Sequence, residues 1–249
     1  MQNPELVRRS CAMELALAII LIPATLWFVA PRAADGNPLW TAILLILVGL
    51  AALWILWLSP RVIHRVPHAF RGVGPWNTFF LHTEELGRSA RNFGAITLLG
   101  LVVLVGIRLA GLPGTLPVLT WKVVVLRLGS YILCALVQAL LFFEFLQSRI
   151  RAVFGDRVAV WGTALVFCLS HSPNVPLLGL GLAAGCFWAR EYLYRPNLVL
   201  LVLSHAILGS AMVLFAGIIP RVGPFYLHPE RYLLRTLLPW WQHLVGNAW

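Results

Sequence analysis

Long apolar runs alternate with short polar and basic segments along most of the chain. A helix needs about 20 apolar residues to cross a membrane, within a range of about 17–25. Apolar runs that reach or approach this length predict seven membrane helices, at residues 13–30, 39–58, 93–112, 118–143, 158–171, 177–189 and 198–219. Residues 77–92 mix aromatic and charged side chains, which is typical of a segment at the membrane interface.

These runs predict an all-α, polytopic membrane helix bundle that forms a single domain over residues 1–249. Residues 1–117 hold the N-terminal helices and a basic interfacial loop, and residues 118–219 hold the remaining predicted spans. Residues 220–249 form a tail in which adjacent tryptophans lie beside arginines, a composition typical of a surface-lying segment. We therefore expect seven membrane helices, or eight if the tail adds a partial span.

Composition and charge exclude a soluble protein. Sixty per cent of the residues are hydrophobic and 11% are charged, whereas a soluble domain carries about 25% charged residues. The 19 basic and 9 acidic residues give a net charge of +10. The basic residues gather at the N-terminus and in alternate loops, so they indicate topology and not a nucleic-acid partner. Arg149 and Arg151 are interpreted as part of this topological charge.

The loop charges place the N-terminus in the cytoplasm and the C-terminus outside. We expect an integral protein of an inner or plasma membrane, with the lipid bilayer as one partner and no nucleic acid.

Three strongly polar side chains fall inside predicted membrane helices: Gln138, His171 and His205. Such residues are costly in lipid and are functional candidates by default. With a rise of about 1.5 Å per residue, their depths are compatible with one buried site. Glu144 lies at the cytoplasmic edge of the fourth helix, and the other acids are assigned to loops or the interface. Each histidine can also be read as a packing residue, and both interpretations stand at this point.

Short motifs in residues 138–210 carry a resemblance to a known family. Phe167–His171 follows the pattern Phe-x-x-x-His, and His205–Gly209 follows His-x-x-x-Asn/Asp at its histidine, with Gly209 in place of Asn or Asp. In this order and spacing, the segments resemble the core of the type II CAAX prenyl protease and bacteriocin-processing family, whose members are intramembrane endopeptidases of glutamic type. The resemblance assigns residues 118–219 to the core of this fold.

The family's first motif, Glu-Glu-x-x-x-Arg, can be placed on this chain in two ways. In one alignment Glu144 is the first acid and Arg149 is the arginine, with the second acid lost. In the other, which needs no gap before His171 and is preferred, the acid pair falls on Gln138 and Ala139. Gln138 and Glu144 are six residues apart. On a regular helix that spacing separates them by about 240°, which makes them alternatives for one site.

The resemblance implies that a glutamate activates a water with one histidine assisting, while the second histidine and the Asn stabilise the oxyanion. A glutamine amide cannot take up that proton near neutral pH, although it can orient a water or donate to an oxyanion. If Gln138 occupies the glutamate position, the base must be Glu144, His171 or His205, or the protein is a pseudoprotease.

Three functions are open at this point. The resemblance implies an intramembrane endopeptidase that cleaves a membrane-anchored peptide near the cytoplasmic face, using His171, His205 and either Glu144 or Gln138. The second is a catalytically degenerate relative that binds a membrane-protein partner, and the third is a small transporter. No cofactor is expected, because two histidines fall short of a zinc site unless Glu144 turns inward to add a ligand.

Overall fold

The structure is a computed structural model that describes residues 4–35, 37–55, 58–59, 85–111 and 121–216 of the chain. The predicted tail at 220–249 and the basic stretch at 61–71 lie outside these ranges. Every regular element within them is helical. In chain order these elements are α1 (Pro4–Ala24), the π-helix π1 (Thr25–Val29), α2 (Ala30–Ala34), α3 (Pro38–Leu53), α4 (Leu86–Leu109), α5 (Trp121–Gln138), the π-helix π2 (Ala139–Leu146), α6 (Gln147–Phe154), α7 (Asp156–Leu169), α8 (Val175–Tyr194) and α9 (Leu198–Ala216).

Four helical stretches of the described chain are long and apolar enough to cross a membrane: Glu5–Ala34, Leu86–Leu109, Val124–Phe154 and Leu198–Ala216. Helix α3 is apolar but has only 16 residues. Helix α7, predicted as a short span, has 14 residues. The helical membrane bundle is therefore confirmed. Length and composition support four spans in the described ranges, against the seven expected from the apolar runs.

Side-chain caps and one glycine set several helix ends. Asn37 accepts a hydrogen bond from the Leu39 amide at 3.0 Å and caps α3. Asn174 caps α8 in the same way, by accepting from the Leu177 amide at 3.4 Å. Such caps satisfy amides that have no partner within the helix. Gly155 has φ 86°, a conformation favourable only for glycine, and lets the chain leave α6 and enter α7 at once.

Helix α9 is the centre of the bundle. It packs mainly against α4 and α5, and most of its side chains are buried. Helix α7 packs against α6 and α8, and α6 also packs against α1. At the centre the Phe167 ring lies 5.5 Å from Phe143 and 6.0 Å from Trp188, centroid to centroid. This aromatic cluster joins the end of α7 to π2, α8 and the middle of α9.

Two helices extend beyond the predicted membrane spans, at turns where polar side chains pair with one another. Helix α4 begins at residue 86, not 93, and α8 continues to residue 194 instead of ending at 189. Asn92 donates to Glu191 at 3.1 Å, and Arg195 contacts the same carboxylate at 3.1 Å. The polar first turns of α4 are therefore bonded to the polar last turns of α8.

Candidate functional site

His171 and His205 come from different parts of the fold and line the same cavity. His171 lies just after the C-terminal end of α7, and His205 lies near the middle of α9. Both imidazoles are buried, and both line a cavity of about 190 Å³. The Phe167 ring contacts both, with centroids 4.8 Å from His171 and 5.5 Å from His205. The fold thus brings together the two histidines that the motifs singled out.

The remainder of the cavity wall is apolar. Side chains that line it include Leu99, Val103 and Leu104 of α4, Leu180 of α8, and Leu208 and Met212 of α9. Leu99 is 59% exposed and Val103 is 44% exposed. These two residues belong both to the cavity wall and to the outer surface of α4. The cavity therefore borders the exposed apolar surface of α4.

The tautomer of His171 is set by a backbone contact. Its Nδ1 lies 2.8 Å from the carbonyl oxygen of Phe167, one helical turn earlier. Because a carbonyl oxygen can only accept, Nδ1 carries the hydrogen in this contact. In the neutral ring, Nε2 then holds a lone pair and is able to accept a proton or a hydrogen bond.

His205 stacks on an aromatic ring. Its ring lies 4.7 Å from the Trp188 ring at an interplanar angle of 35°. The Trp188 indole donates to Ser204 at 3.1 Å, and Thr97 donates to the same hydroxyl at 2.7 Å. The Nδ1 atom of His205 is buried and has no hydrogen-bond partner among the described residues. A buried polar atom of this kind is costly unless a bound group satisfies it.

Glu144 lies on π2 and is held by α8. The buried Tyr192 hydroxyl donates to Glu144 Oε2 at 2.5 Å. Glu144 is not among the residues that line the histidine cavity. Its neighbour Phe143 packs against Phe167, with centroids 5.5 Å apart. The π2 segment thus reaches the cavity wall through aromatic rings, while the carboxylate is bonded to a different helix.

Gln138 ends α5 and contacts its own helix. Its amide nitrogen donates to Cys134 Sγ at 3.2 Å, and its Oε1 is buried without a partner among the described residues. Gln138 does not line the histidine cavity either. The roles assigned to Gln138 and Glu144 stay predictions.

The helix between these two residues is not regular, contrary to the assumption made from the sequence. Residues Ala139–Leu146 form π2, in which hydrogen bonds run from i to i+5 and each turn holds more residues than an α-helical turn. The 240° separation of Gln138 and Glu144 holds only for an α-helix and does not apply here. π-Helical insertions occur frequently at functional sites.

Two buried charges were missed by the sequence interpretation. Arg149, interpreted as a topological charge, is buried and pairs with Glu14 at 2.9 Å. Glu14, assigned to a loop or interface, is a buried residue of α1. The available signal was that Glu14 is the only acid in the first apolar run at 13–30. Its partner could not be inferred, because it lies 135 residues away.

The departure at the third motif has a local structural explanation. Gly209 lines the cavity on α9, where the family pattern has Asn or Asp. A Cβ atom at position 209 would overlap the ring of Tyr131 on α5. The tyrosine ring therefore fills the space that a side chain at 209 requires.

The donor set does not make a metal site within the described ranges. No group of three or more histidine, cysteine, aspartate or glutamate side chains there is arranged to hold a metal ion. His171 and His205 thus have no third ligand in this part of the chain, and structural or catalytic zinc needs at least three protein ligands.

A family model matches part of the chain. The model of the family described as type II CAAX prenyl endopeptidase Rce1-like matches residues 120–211. This stretch runs from α5 into α9 and contains all four predicted site residues. No curated protein and no solved structure matches the chain significantly. The chain is thus a helical membrane protein that is similar, over less than half of its length, to CAAX prenyl endopeptidases.

Proposed function

We propose that the protein is an intramembrane endopeptidase that cleaves a membrane-anchored peptide near the cytoplasmic face. The convergence of His171 and His205 on one apolar cavity carries the proposal. That cavity lies largely within the stretch that matches the endopeptidase family. Buried ionisable side chains in a cavity are typical of catalytic sites.

His171 is the proposed base. Its Nδ1–H is occupied by the Phe167 carbonyl, so Nε2 is available to take a proton from a water molecule. The water oxygen then bonds to the peptide carbonyl carbon, and the carbonyl electron pair moves onto its oxygen. When the C–N bond breaks, His171 returns the proton to the departing amine.

His205 is the proposed oxyanion partner. A neutral imidazole carries one N–H, which can donate to the oxygen that becomes negative in the tetrahedral intermediate. The Trp188 stack fixes the ring plane before substrate arrives, so little reorganisation is needed. A donor in an apolar cavity stabilises such a charge more than the same donor in water does.

Glu144 and Gln138 are the two candidates for the glutamate position of the family pattern. Neither lines the cavity, and the Glu144 carboxylate already accepts from Tyr192. This arrangement favours a histidine as the base. Glu144 takes that role only if π2 turns towards the cavity.

The apolar wall of the cavity supports a membrane-anchored peptide as the substrate. Leu99 and Val103 line the cavity and are exposed on the outer face of α4. A peptide segment embedded in lipid can therefore approach from the side of the bundle without first leaving the membrane.

The proposal is tested with purified protein in liposomes that also contain a library of membrane-anchored peptides. We expect cleavage to fall by about 100-fold or more in His171→Ala and in His205→Ala, as for loss of a general base or an oxyanion donor. His82→Ala, a histidine outside the family match, is the control and should cleave normally. Equal rates in all four proteins would overturn the proposal.

A catalytically degenerate binding protein is the second candidate. Two observations favour it: Gln138 stands at the preferred glutamate position, and Tyr131 fills the space next to Gly209. If this candidate is right, the wild type cleaves no peptide, and a membrane-protein partner copurifies with it in mild detergent. Gly181 lines the cavity, so Gly181→Leu should fill part of the cavity and abolish the copurification. The transporter hypothesis gains no support, because the cavity wall is apolar apart from its histidines.

A further inference from the structure

A buried ion pair connects the N-terminal helix to the helix that follows π2. Glu14 Oε2 of α1 lies 2.9 Å from Arg149 Nε of α6, and their side chains are 3% and 11% exposed. This is a carboxylate–guanidinium contact away from water, in a bundle otherwise dominated by apolar packing. Its desolvation is costly unless other polar groups complete the bonding of both partners.

Both partners of the pair have further contacts. The Trp54 indole donates to Glu14 Oε1 at 3.0 Å. The Arg149 guanidinium donates to Ser148 at 2.7 Å and to the Ser59 hydroxyl. Each bond is directional, and the planar guanidinium requires its acceptors at fixed positions. The network therefore specifies one placement of α6 against α1.

The pair lies immediately after π2, where α6 is also bonded to α8. Gln147 donates to the Ala189 carbonyl at 2.5 Å, and Tyr192 donates to Glu144 at 2.5 Å. Residues 144 and 147 thus meet 192 and 189, an antiparallel register between π2–α6 and α8. Arg149, in the same segment, pairs with Glu14 and so connects this segment to α1 as well.

An aromatic residue, not an acid, follows Glu144 in the sequence. In the alignment that uses Glu144 and Arg149 as the first motif, the second acid falls on Phe145. The Phe145 ring packs against the Arg149 guanidinium, with Cζ 4.4 Å from the ring centroid. The carboxylate that pairs with Arg149 is supplied instead by Glu14, from another helix.

We propose that Glu14 is a positioning residue for the π2 segment. By pairing with Arg149 it holds α6 in the register that keeps Glu144 bonded to Tyr192 and Phe143 packed on Phe167. The N-terminal helix thereby completes a site whose histidines all lie within the matched stretch. The predicted effect on cleavage rests on the proposed function, whereas the effect on the structure of π2 does not.

The test combines hydrogen–deuterium exchange with cleavage kinetics on the full chain in liposomes. We expect Glu14→Gln to raise amide exchange in residues 139–154 by about tenfold and to leave α9 unchanged, because the opening is local. The same variant should lower kcat by about tenfold or more, with KM little changed, as a misplaced site does. Glu14→Asp should recover part of both effects.

The matched control is Glu5→Gln, which removes an exposed ion pair with Arg9 from the same helix and should change neither readout. If Glu14→Gln fails to fold, Trp54→Phe removes only the indole donor and should give a smaller increase in exchange at 139–154. Exchange in Glu14→Gln that matches the control, or that rises equally in α9, would overturn the proposal. If wild type cleaves no peptide but the local exchange effect is found, the proposed function fails and the positioning role stands.

Discussion

The histidine cavity and the Glu14–Arg149 junction are both buried polar regions of one bundle, yet their bonding differs sharply. At the junction, the guanidinium and the carboxylate each have several hydrogen-bond partners from their own and other segments. In the cavity, His205 Nδ1 has no hydrogen-bond partner among the described residues, and His171 Nδ1 bonds to the Phe167 carbonyl. Aromatic rings pack against both imidazoles: Phe167 against His171 and Trp188 against His205.

This difference separates polar groups that build the fold from polar groups that are available to a ligand. A fully bonded buried network rigidifies the structure and fixes one arrangement. An incompletely bonded group carries a cost that is tolerated where it serves binding or chemistry. The bonding of the junction therefore supports the proposed positioning role of Glu14, and the incomplete bonding of the cavity supports the proposed function.

The greatest loss of stability is expected when the Arg149 charge is removed from the junction. Arg149→Leu leaves the Glu14 carboxylate buried without its cation, which should cost about 3–5 kcal/mol. Chemical unfolding in detergent measures the loss. Arg9→Leu, at an exposed pair on α1, is the control and should unfold like wild type. Equal stability of the two variants would show that Glu14 does not depend on Arg149.

A smaller effect is expected where the cavity meets α5. Gly209→Asn, which restores the family's third motif, should destabilise the protein by about 1–3 kcal/mol because its Cβ overlaps the Tyr131 ring. Adding Tyr131→Leu should recover much of the loss. Gly179→Ala is the matched control, since nothing lies within 4 Å of a Cβ there. A stable Gly209→Asn single variant would contradict the packing described here.

A still smaller loss of stability is expected when the hydrogen bond that orients Trp188 beside His205 is removed. Ser204→Ala removes the acceptor of the Trp188 indole and should cost about 1 kcal/mol, the usual value of one buried hydrogen bond. Because Trp188 stacks on His205, cleavage should fall more than the stability loss alone explains. Normal cleavage at equal folded protein would show that the Trp188 orientation does not matter.

The smallest change is expected when both junction charges are removed together. Glu14→Leu with Arg149→Leu leaves no unpaired buried charge, so stability should return to within about 1 kcal/mol of wild type. The comparison with Arg149→Leu alone is a double-mutant test of the pair. A double variant as unstable as the single one would indicate that the network stabilises the fold through more than charge balance.

The sequence predicted the helical bundle and drew attention to His171 and His205, which line one cavity, for physical reasons. Apolar runs report burial in lipid directly, so helices such as α9 were found near their true positions. His171 and His205 each stand out as a polar residue in an apolar run. Their convergence followed from the order and spacing of the motifs.

Other features depend on contacts that a hydrophobic pattern does not record. The π2 segment has the same apolar composition as an α-helix, so its altered turn could not be seen. Arg149 has the sequence context of a loop charge, and only the packing of α1 on α6 gives it a buried partner. The last turns of α8 were missed because they are polar, and the hydrophobic pattern does not show that Glu191 bonds to Asn92 and Arg195.

The proposed function requires His171 and His205 to act together in one catalytic site, and this requirement is tested by the coupling between them. Cleavage rates are measured for both single alanine variants and for the double variant in liposomes. Substitutions of residues that act as a unit have strongly non-additive effects on the rate. We therefore expect the double variant to cleave no more slowly than the slower single variant. Losses that multiply in the double variant, or single variants that cleave like wild type, would contradict it.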